Sequence, residues 1–249
     1  MTALIWNVRG AGNKRFKNNF RQLFQEFKPY IVALMETKVE FQTMNGFFEN
    51  FGLSSSSIID PQGRSGGIWV LWNPQEVTVT PIQTHRQVVH IEVKKNNSDN
   101  WFFSAVYGSP HQATRAELWE NLYDFVDSFS SPWVAAGDFN DYSGQSERRS
   151  FTPFNDFQRC QTFNNNLSNC GLMDLGSRGP KLTWDNGRQG FANTKERLDR
   201  AVANSDWRIK FPEATVTNLP RAFNDYDWVH QKYFISAKFA GQATKSSPE

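Results

Sequence analysis

The chain has 249 residues, and 27 Lys and Arg residues against 25 Asp and Glu residues give it a formal net charge of +2. This balance does not require a nucleic-acid partner, so a basic surface must come from particular residues. No apolar run approaches the roughly 18 residues that a membrane span needs, and the first residues show no signal-peptide pattern. Cys160 and Cys170 cannot form a disulfide framework. We therefore expect an intracellular, monomeric protein that does not bind membranes.

Apolar runs separated by polar turns predict a chain rich in strands. The predicted strands cover residues 3–8, 30–35, 67–72, 77–83, 88–93, 101–107, 133–136, 172–175, 182–184, 198–202, 214–219 and 226–236. Apolar residues at helical spacing predict three helices, over residues 16–27, 118–129 and 152–167.

The rest of the chain adds no further domain. Residues 46–67 are rich in Ser, Gly, Asn and Phe, and we expect them to form a long irregular connection. Residues 241–249 form a polar tail, which is expected to fray. The prediction is therefore one α+β domain over residues 1–240, most simply a two-sheet sandwich with helices packed outside.

The stretch at residues 133–140 reads Trp-Val-Ala-Ala-Gly-Asp-Phe-Asn and ends an apolar strand with two polar side chains. Because side chains alternate along a strand, Asp138 and Asn140 are predicted to point to the same side. Gly137 would permit a sharp exit from the sheet. The alternative is an ordinary Asx turn without a chemical role.

Polar side chains also end other predicted strands. Asn7, Glu36 and Tyr107 each follow an apolar run, and Asp199 and Asp225 come later in the chain. Carboxylates combined with amides and a phenol suit a hard, oxygen-binding cation such as Mg²⁺. No His and Cys pattern indicates zinc. The sequence therefore predicts a Mg²⁺ site at one edge of a sandwich.

Each of these residues also has a structural alternative. Asn7 could close a turn, Glu36 could be a solvated charge at a strand end, and Tyr107 could be a half-buried core aromatic. Asp199 and Asp225 could be surface charges, Asp199 in an ion pair with a neighbouring arginine.

Three arginines are candidates for binding substrate phosphates. Arg9, Arg148 and Arg149 follow motifs at the predicted site edge, where phosphate contact is the functional interpretation. A solvated charged face is the alternative.

Five ordered motifs together resemble the endonuclease/exonuclease/phosphatase superfamily. They read Trp-Asn-Val-Arg-Gly at 6–10, Met-Glu-Thr-Lys at 35–38, Val-Tyr-Gly-Ser-Pro at 106–110, Gly-Asp-Phe-Asn at 137–140 and Glu-Arg-Leu-Asp-Arg at 196–200. Within the superfamily they are most similar to the endonuclease domain of plant LINE-type (non-LTR) retrotransposons, itself similar to apurinic/apyrimidinic endonucleases. The resemblance extends from residue 4 to about residue 239.

The resemblance implies a DNase I-like four-layer αββα sandwich, with two mostly antiparallel sheets, that cleaves phosphodiester bonds with Mg²⁺ or Mn²⁺. Glu36 would bind the metal, and Asn7 would hold the metal shell and a phosphate oxygen. Tyr107 would donate a hydrogen bond to the phosphate. Asp138 would orient or deprotonate the attacking water, with Asn140 beside it. Duplex DNA would be the partner, and the nucleus the location.

One position departs from the family pattern. The family has Ser-Asp-His near the end of the domain, where the carboxylate that matches Asp199 holds a phosphate-contacting histidine. In this chain Asp225 and Tyr226 take the places of the family's aspartate and histidine, so the histidine is missing. His230 is four residues beyond Tyr226 and, in a strand, would lie about 13 Å farther along. A catalytically decayed DNA-binding relic, or a phosphatase of the same fold acting on another phosphoester, therefore stay open as alternatives.

Restoring the histidine tests whether its loss weakens the protein. Because a general acid–base group contributes about 10²–10⁴-fold to a rate, we expect Tyr226→His to cleave DNA faster by a factor of that order. A plasmid-nicking assay of both proteins under identical conditions measures the ratio. Equal rates would refute the prediction.

Overall fold

The computed structural model describes residues 1–63, 65–95, 99–151 and 156–219, together with the backbone of residues 232–236. Most strands belong to two six-stranded sheets. The first sheet consists of β1 (Thr2–Asn7), β2 (Ile31–Met35), β3 (Ser55–Ile59), β4 (Ile68–Trp72), β14 (Thr215–Leu219) and β15 (Lys232–Ser236). The second consists of β5 (Thr78–His85), β6 (Val88–Lys94), β7 (Trp101–Tyr107), β8 (Trp133–Asp138), β10 (Met173–Asp174) and β13 (Asp199–Ala203).

Each large sheet is antiparallel except for one parallel pair at its centre. The first sheet has the strand order β14-β15-β1-β2-β4-β3, and the second has β10-β13-β8-β7-β6-β5. In the first, β1 and β2 run parallel, with Asn7 beside Met35. In the second, β7 and β8 run parallel, with Tyr107 beside Asp138. Parallel neighbours end at the same edge, so each pair delivers its last side chains together.

Helices cover the outer faces of both sheets. They are α1 (Lys14–Phe27), α2 (Asn45–Glu49), α3 (Gln112–Ser128) and α4 (Phe157–Asn169), whereas the buried Trp207 of the short α5 (Ser205–Lys210) belongs to the apolar cluster between the sheets. Phe20 of α1 and Phe48 of α2 are buried against the first sheet, and Leu122 of α3 and Phe163 of α4 against the second. A third apolar cluster fills the space between the sheets. The predicted four-layer αββα sandwich is thereby confirmed. In the described residues no helix has the length and apolar character to cross a membrane.

A small third sheet lies beside the sandwich. It contains β9 (Arg148–Ser150), β11 (Trp184–Asp185) and β12 (Thr194–Glu196), with β12 in the middle. Only Arg197 and Leu198 separate β12 from Asp199, the first residue of β13, so this sheet borders the end of β13 that carries Asp199.

The expectation of an irregular connection over residues 46–67 is wrong. This stretch contains most of α2 and the whole of β3. Within the described part of the chain, β3 pairs with β4 alone and forms an edge of the first sheet. Its three serines give a weak strand signal, but backbone pairing to a buried neighbour is enough to hold an edge strand, because sheet propensity depends on context.

The predicted helix over residues 152–167 corresponds to α4, and the predicted strand over residues 226–236 corresponds to β15. Only part of each predicted range lies in the described residues. The fourth helix begins at Phe157, whose side chain is exposed, and its buried face is formed by Cys160, Phe163 and Leu167. Its predicted start at residues 152–155 lies outside the described residues, as do the tail at 241–249 and residues 226–231 of the predicted last strand. The domain limits therefore stay a prediction.

One polar group is buried among aromatics in the second sheet. His90 of β6 contacts Asn121 Oδ1 through Nε2 at 2.9 Å and Ser104 Oγ through Nδ1 at 2.7 Å. Trp133 Nε1 donates to the same Ser104 oxygen at 2.7 Å, and Phe125 stacks on the imidazole at 4.1 Å. Burial lowers the pKa of His90 from 6.5 to about 4. The neutral ring with its proton on Nε2 satisfies every partner.

Acid should therefore destabilise the fold through His90. The unfolded chain binds a proton near pH 6.5 while the folded chain resists it until about pH 4, so stability falls as the pH is lowered through this window. At about 1.4 kcal/mol per pH unit, the loss reaches roughly 3 kcal/mol. Urea unfolding of the wild type and His90→Gln at a series of pH values measures it, because the variant lacks this slope. His111→Gln, at an exposed position, is the control, and parallel pH profiles for wild type and His90→Gln would contradict the assignment.

Candidate active site

A hydrogen bond between the two sheets forms the centre of the site. Asn7 ends β1 of the first sheet, and its Nδ2 donates to Asp138 Oδ2 at the end of β8 of the second sheet, at 2.9 Å. Both side chains are buried. The other carboxylate oxygen of Asp138 accepts the backbone N–H of Asn140 at 2.9 Å. The carboxylate is thus fixed from both sides, and the Asx turn described as an alternative is part of how it is held.

The prediction that strand alternation points Asp138 and Asn140 to the same side is wrong, because the strand ends at Asp138 and does not include Asn140. Asn140 has a left-handed backbone, with φ of 50°. Its side-chain Nδ2 donates to the carbonyl of Gly108 at 2.7 Å, across the neighbouring loop. Asn140 therefore ties together the loops that follow β7 and β8.

The prediction that the chain leaves the sheet at Gly137 is wrong, because β8 continues through this residue to Asp138. Its φ is 156°, and a Cβ at this position would lie 1.8 Å from the carbonyl oxygen of Val106 on β7. Glycine is required here by the close approach of two backbones. This approach brings Asp138 beside Tyr107.

Glu36 and Tyr107 meet at the same edge. The Glu36 carboxylate lies close enough to the Tyr107 hydroxyl to influence its pKa. Burial, followed by the nearby charges of Glu36 and Asp138, raises the pKa of Tyr107 above its usual value. The phenol therefore stays protonated and acts as a hydrogen-bond donor.

Backbone strain is concentrated around these side chains. Among the described residues, five non-glycine residues have positive φ, and Arg9, Glu36, Lys38 and Asn140 are four of them. Such conformations cost on the order of 1–3 kcal/mol each and are over-represented at functional sites. Glu36 is held in its conformation by backbone bonds from its N–H to Gly67 O and from Gly10 N–H to its own carbonyl.

Asp199 is a second buried carboxylate of the site. It lies beside Asp138 on the neighbouring strand and is 6% exposed, so it is not a surface charge. Burial, and then the charge of Asp138, raise its pKa far above the ordinary value, and burial also raises the pKa of Asp138. Two desolvated acids this close favour a shared proton over two full charges.

The cations around the site differ in what they contact. Arg9 lies 3.7 Å from Glu36 and Lys38 lies 2.7 Å from it. Arg148 forms ion pairs with Glu196 at 3.1 Å and Asp156 at 3.6 Å, whereas Arg149 is exposed on the small sheet. Phosphate binding by Arg9, Arg148 and Arg149 stays a prediction.

Two predicted site residues lie outside the described part of the chain, and one residue of the site was not predicted. Asp225 and Tyr226 lie outside the described residues, so their placement is untested. Lys38 was not selected from the sequence, although it lies two positions after Glu36 in the same motif. The site therefore brings together seven predicted residues, which are Asn7, Arg9, Glu36, Tyr107, Asp138, Asn140 and Asp199.

The residues at this edge fit a divalent cation. Asn7 Oδ1 is buried and has no hydrogen-bond partner among the described residues, because Nδ2 of the same amide is fixed on Asp138. The Glu36 side chain is 15% exposed and supplies a carboxylate. In the described part of the chain, no three or more His, Cys, Asp and Glu side chains gather as a ligand group. One carboxylate and one amide oxygen suit Mg²⁺ or Mn²⁺, which keep positions for water and phosphate.

Comparison with known proteins identifies the family. The model of the Endonuclease/Exonuclease/phosphatase family matches residues 4–235. The chain belongs to this family. The resemblance inferred from the five motifs is thus confirmed. No curated protein sequence matches the chain.

Solved structures of three nucleic-acid enzymes share the fold at low sequence identity. The 3′ phosphatase NExo from Neisseria, bound to a product DNA hairpin, has a TM-score of 0.70 and 18% identity, over 96% of this chain and all of that chain. The endonuclease domain of TRAS1, a telomere-specific non-LTR retrotransposon, has 0.69 and 15%, over 96% and 99%. The AP endonuclease LMAP from Leishmania major has 0.69 and 14%, over 94% and 86%. At these identities the likeness establishes the fold alone.

Gly137 offers a test of the close contact that aligns β7 and β8. We expect Gly137→Ala to lower the free energy of unfolding by about 3 kcal/mol or more, because the added methyl group meets a backbone oxygen that cannot turn away. Urea denaturation measures the change. Gly144→Ala is the control, since no atom of the described residues lies within 4 Å of its Cβ position. Equal stability of the two variants would contradict the close approach.

Proposed function

We propose that the protein is a divalent-metal-dependent phosphodiester hydrolase that nicks duplex DNA, of the LINE-retrotransposon and AP-endonuclease type. The observation that carries the proposal is the convergence of Asn7 and Glu36 from one sheet with Tyr107 and Asp138 from the other. It follows that a phosphate at this edge would meet an amide, a phenol and two carboxylates at once.

Glu36 and Asn7 Oδ1 would hold the metal ion. When bound, Mg²⁺ or Mn²⁺ would neutralise negative charge on the phosphate oxygens. Lys38 and Arg9 surround the Glu36 carboxylate and add positive charge at the mouth of the site. Together they favour an anionic substrate.

The protein's own side chains supply the proton chemistry. Asp138 is fixed by Asn7 and Asn140, so one orientation is available for accepting a proton from an attacking water. Its raised pKa moves it closer to neutral pH, where a general base is most effective. Tyr107, which stays protonated, would donate to a phosphate oxygen.

The surface beside the site supports a nucleic-acid substrate. Arg9 and Arg188 line one cleft together with the indole of Trp184. At the same side of the molecule, Phe151 and Phe191 are 58% and 81% exposed, and their rings lie 5.1 Å apart. Cations combined with exposed aromatic rings are typical of surfaces that bind nucleic-acid backbones and bases. A duplex-DNA substrate favours a nuclear location. We expect the enzyme to act as a monomer.

Removing the predicted metal ligand should abolish cleavage. We expect Glu36→Gln to nick supercoiled plasmid at least about 100-fold more slowly than the wild type in Mg²⁺ or Mn²⁺, because the carboxylate that binds the cation is lost. EDTA should abolish the activity of the wild type. The rate of conversion of supercoiled to open-circular plasmid measures both effects.

The matched control is Glu40→Gln, which removes an exposed carboxylate four residues away and should leave the rate unchanged. A wild type that leaves the plasmid intact at high concentration would overturn the proposal. Salt-sensitive DNA binding without cleavage would then indicate the decayed relic. Hydrolysis of a soluble phosphomonoester but not of DNA would indicate a phosphatase.

A further inference from the structure

Asp141, in the loop after β8, forms an ion triad with Arg115 and Arg159. Asp141 comes directly after Asn140, and its carboxylate binds two arginines from different helices. Arg115 of α3 contacts Asp141 Oδ2 through Nη2 at 2.9 Å and through Nε at 3.1 Å. Arg159 of α4 contacts Asp141 Oδ1 through Nε at 2.6 Å. The side chains of Arg115 and Asp141 are 4% and 8% exposed.

Both arginines also bind the backbone of the loops that follow β7 and β8. Arg115 Nη1 donates to the carbonyl of Ser109 at 2.6 Å, in the loop after β7. Arg159 Nη2 donates to the carbonyl of Asn140 at 2.8 Å, in the loop after β8. Each guanidinium therefore links the Asp141 carboxylate to one loop, and its rigid fork fixes the direction of both contacts.

The two loops are tied to each other as well. The Gly108 N–H donates to the Asp138 carbonyl at 2.7 Å, and Asn140 Nδ2 donates to the Gly108 carbonyl. Gly108 follows Tyr107, and Asn140 lies two residues after Asp138. The triad thus connects α3 and α4 to the backbone that carries the phenol and the carboxylate.

Packing of the helices does not require these charges. α3 and α4 already bury Leu118, Leu122 and Phe163 in the apolar cluster against the second sheet. Desolvating three charged groups is costly, and apolar residues of similar volume often give equal or greater stability. The contacts to loop carbonyls are what an apolar replacement would not reproduce.

We propose that Arg115, Asp141 and Arg159 are positioning residues that hold the loops after β7 and β8 in the geometry required for cleavage. The inference rests on the proposed function and assigns these residues no contact with substrate. A displacement of about 1 Å in a reacting group can cost about 100-fold in rate. The triad acts at the two loops in which such a displacement would begin.

Arg159→Met is the informative variant, because the Arg159 side chain is 29% exposed and its replacement leaves no fully buried gap. We expect kcat for DNA nicking to fall by about 10- to 100-fold with KM nearly unchanged. Amide hydrogen exchange at Gly108 and Asn140 should accelerate about tenfold relative to the strands of the second sheet. Arg159→Lys keeps the charge but makes fewer contacts, so it should give intermediate values of both.

Gln161→Met, at an exposed position of the same helix, is the matched control and should change neither quantity. Unchanged exchange at Gly108 and Asn140 in Arg159→Met would overturn the proposal, and so would faster exchange with an unchanged kcat. Exchange accelerated equally throughout the domain would also overturn it, because the triad would then act on global stability. If Arg159→Met fails to fold, the same outcomes are judged on Arg159→Lys.

The exchange measurement separates this inference from the proposed function. A wild type that does not nick DNA, combined with faster exchange at Gly108 and Asn140 in the variant, would refute the proposed function while showing that the triad holds the loops. An active wild type with unchanged exchange in the variant would refute the triad's role alone.

Discussion

The hydrogen bond from Asn7 to Asp138 is the constraint on which the rest of the site depends. It spans 131 residues of sequence and joins the ends of two strands that belong to different sheets. Because both groups are buried, losing either partner would leave a polar atom unsatisfied in the core, which typically costs about 1–3 kcal/mol. The same bond turns Asn7 Oδ1 away from Asp138. One contact therefore joins the two sheets at this edge, fixes the carboxylate and leaves Asn7 Oδ1 without a hydrogen-bond partner among the described residues.

The site combines this rigid centre with features that reduce stability. Glu36 and Asn140 have left-handed backbones, and Asp138 and Asp199 are desolvated acids on neighbouring strands. Each of these arrangements is unfavourable by itself. They persist because apolar layers on both sides of each sheet hold the strand ends in place. A stable sandwich thus tolerates strain that a functional site requires.

Charge is arranged in two zones around the candidate site. At the mouth, Arg9 and Lys38 are partly exposed and surround Glu36, where they would meet a phosphate. Behind the loops, Arg115 and Arg159 bind Asp141 and backbone carbonyls. The net charge of +2 conceals both zones, because it sums all cations and acids of the chain without regard to their positions. Composition therefore says little about binding, whereas the position of each cation says a great deal.

The sequence by itself predicted most of the strands and the polar residue types near their ends, because apolar runs and the period of two are local properties. It also determined the family, since five motifs in fixed order need no coordinates. Only the tertiary structure decided which strand ends meet, as Asn7 and Asp138 come together through the packing of two sheets. It also decided that residues 55–59 are an edge strand, that Gly137 is needed for a backbone contact and that Arg148 lies among acids. These outcomes depend on neighbours distant in the chain, and no local pattern encodes them.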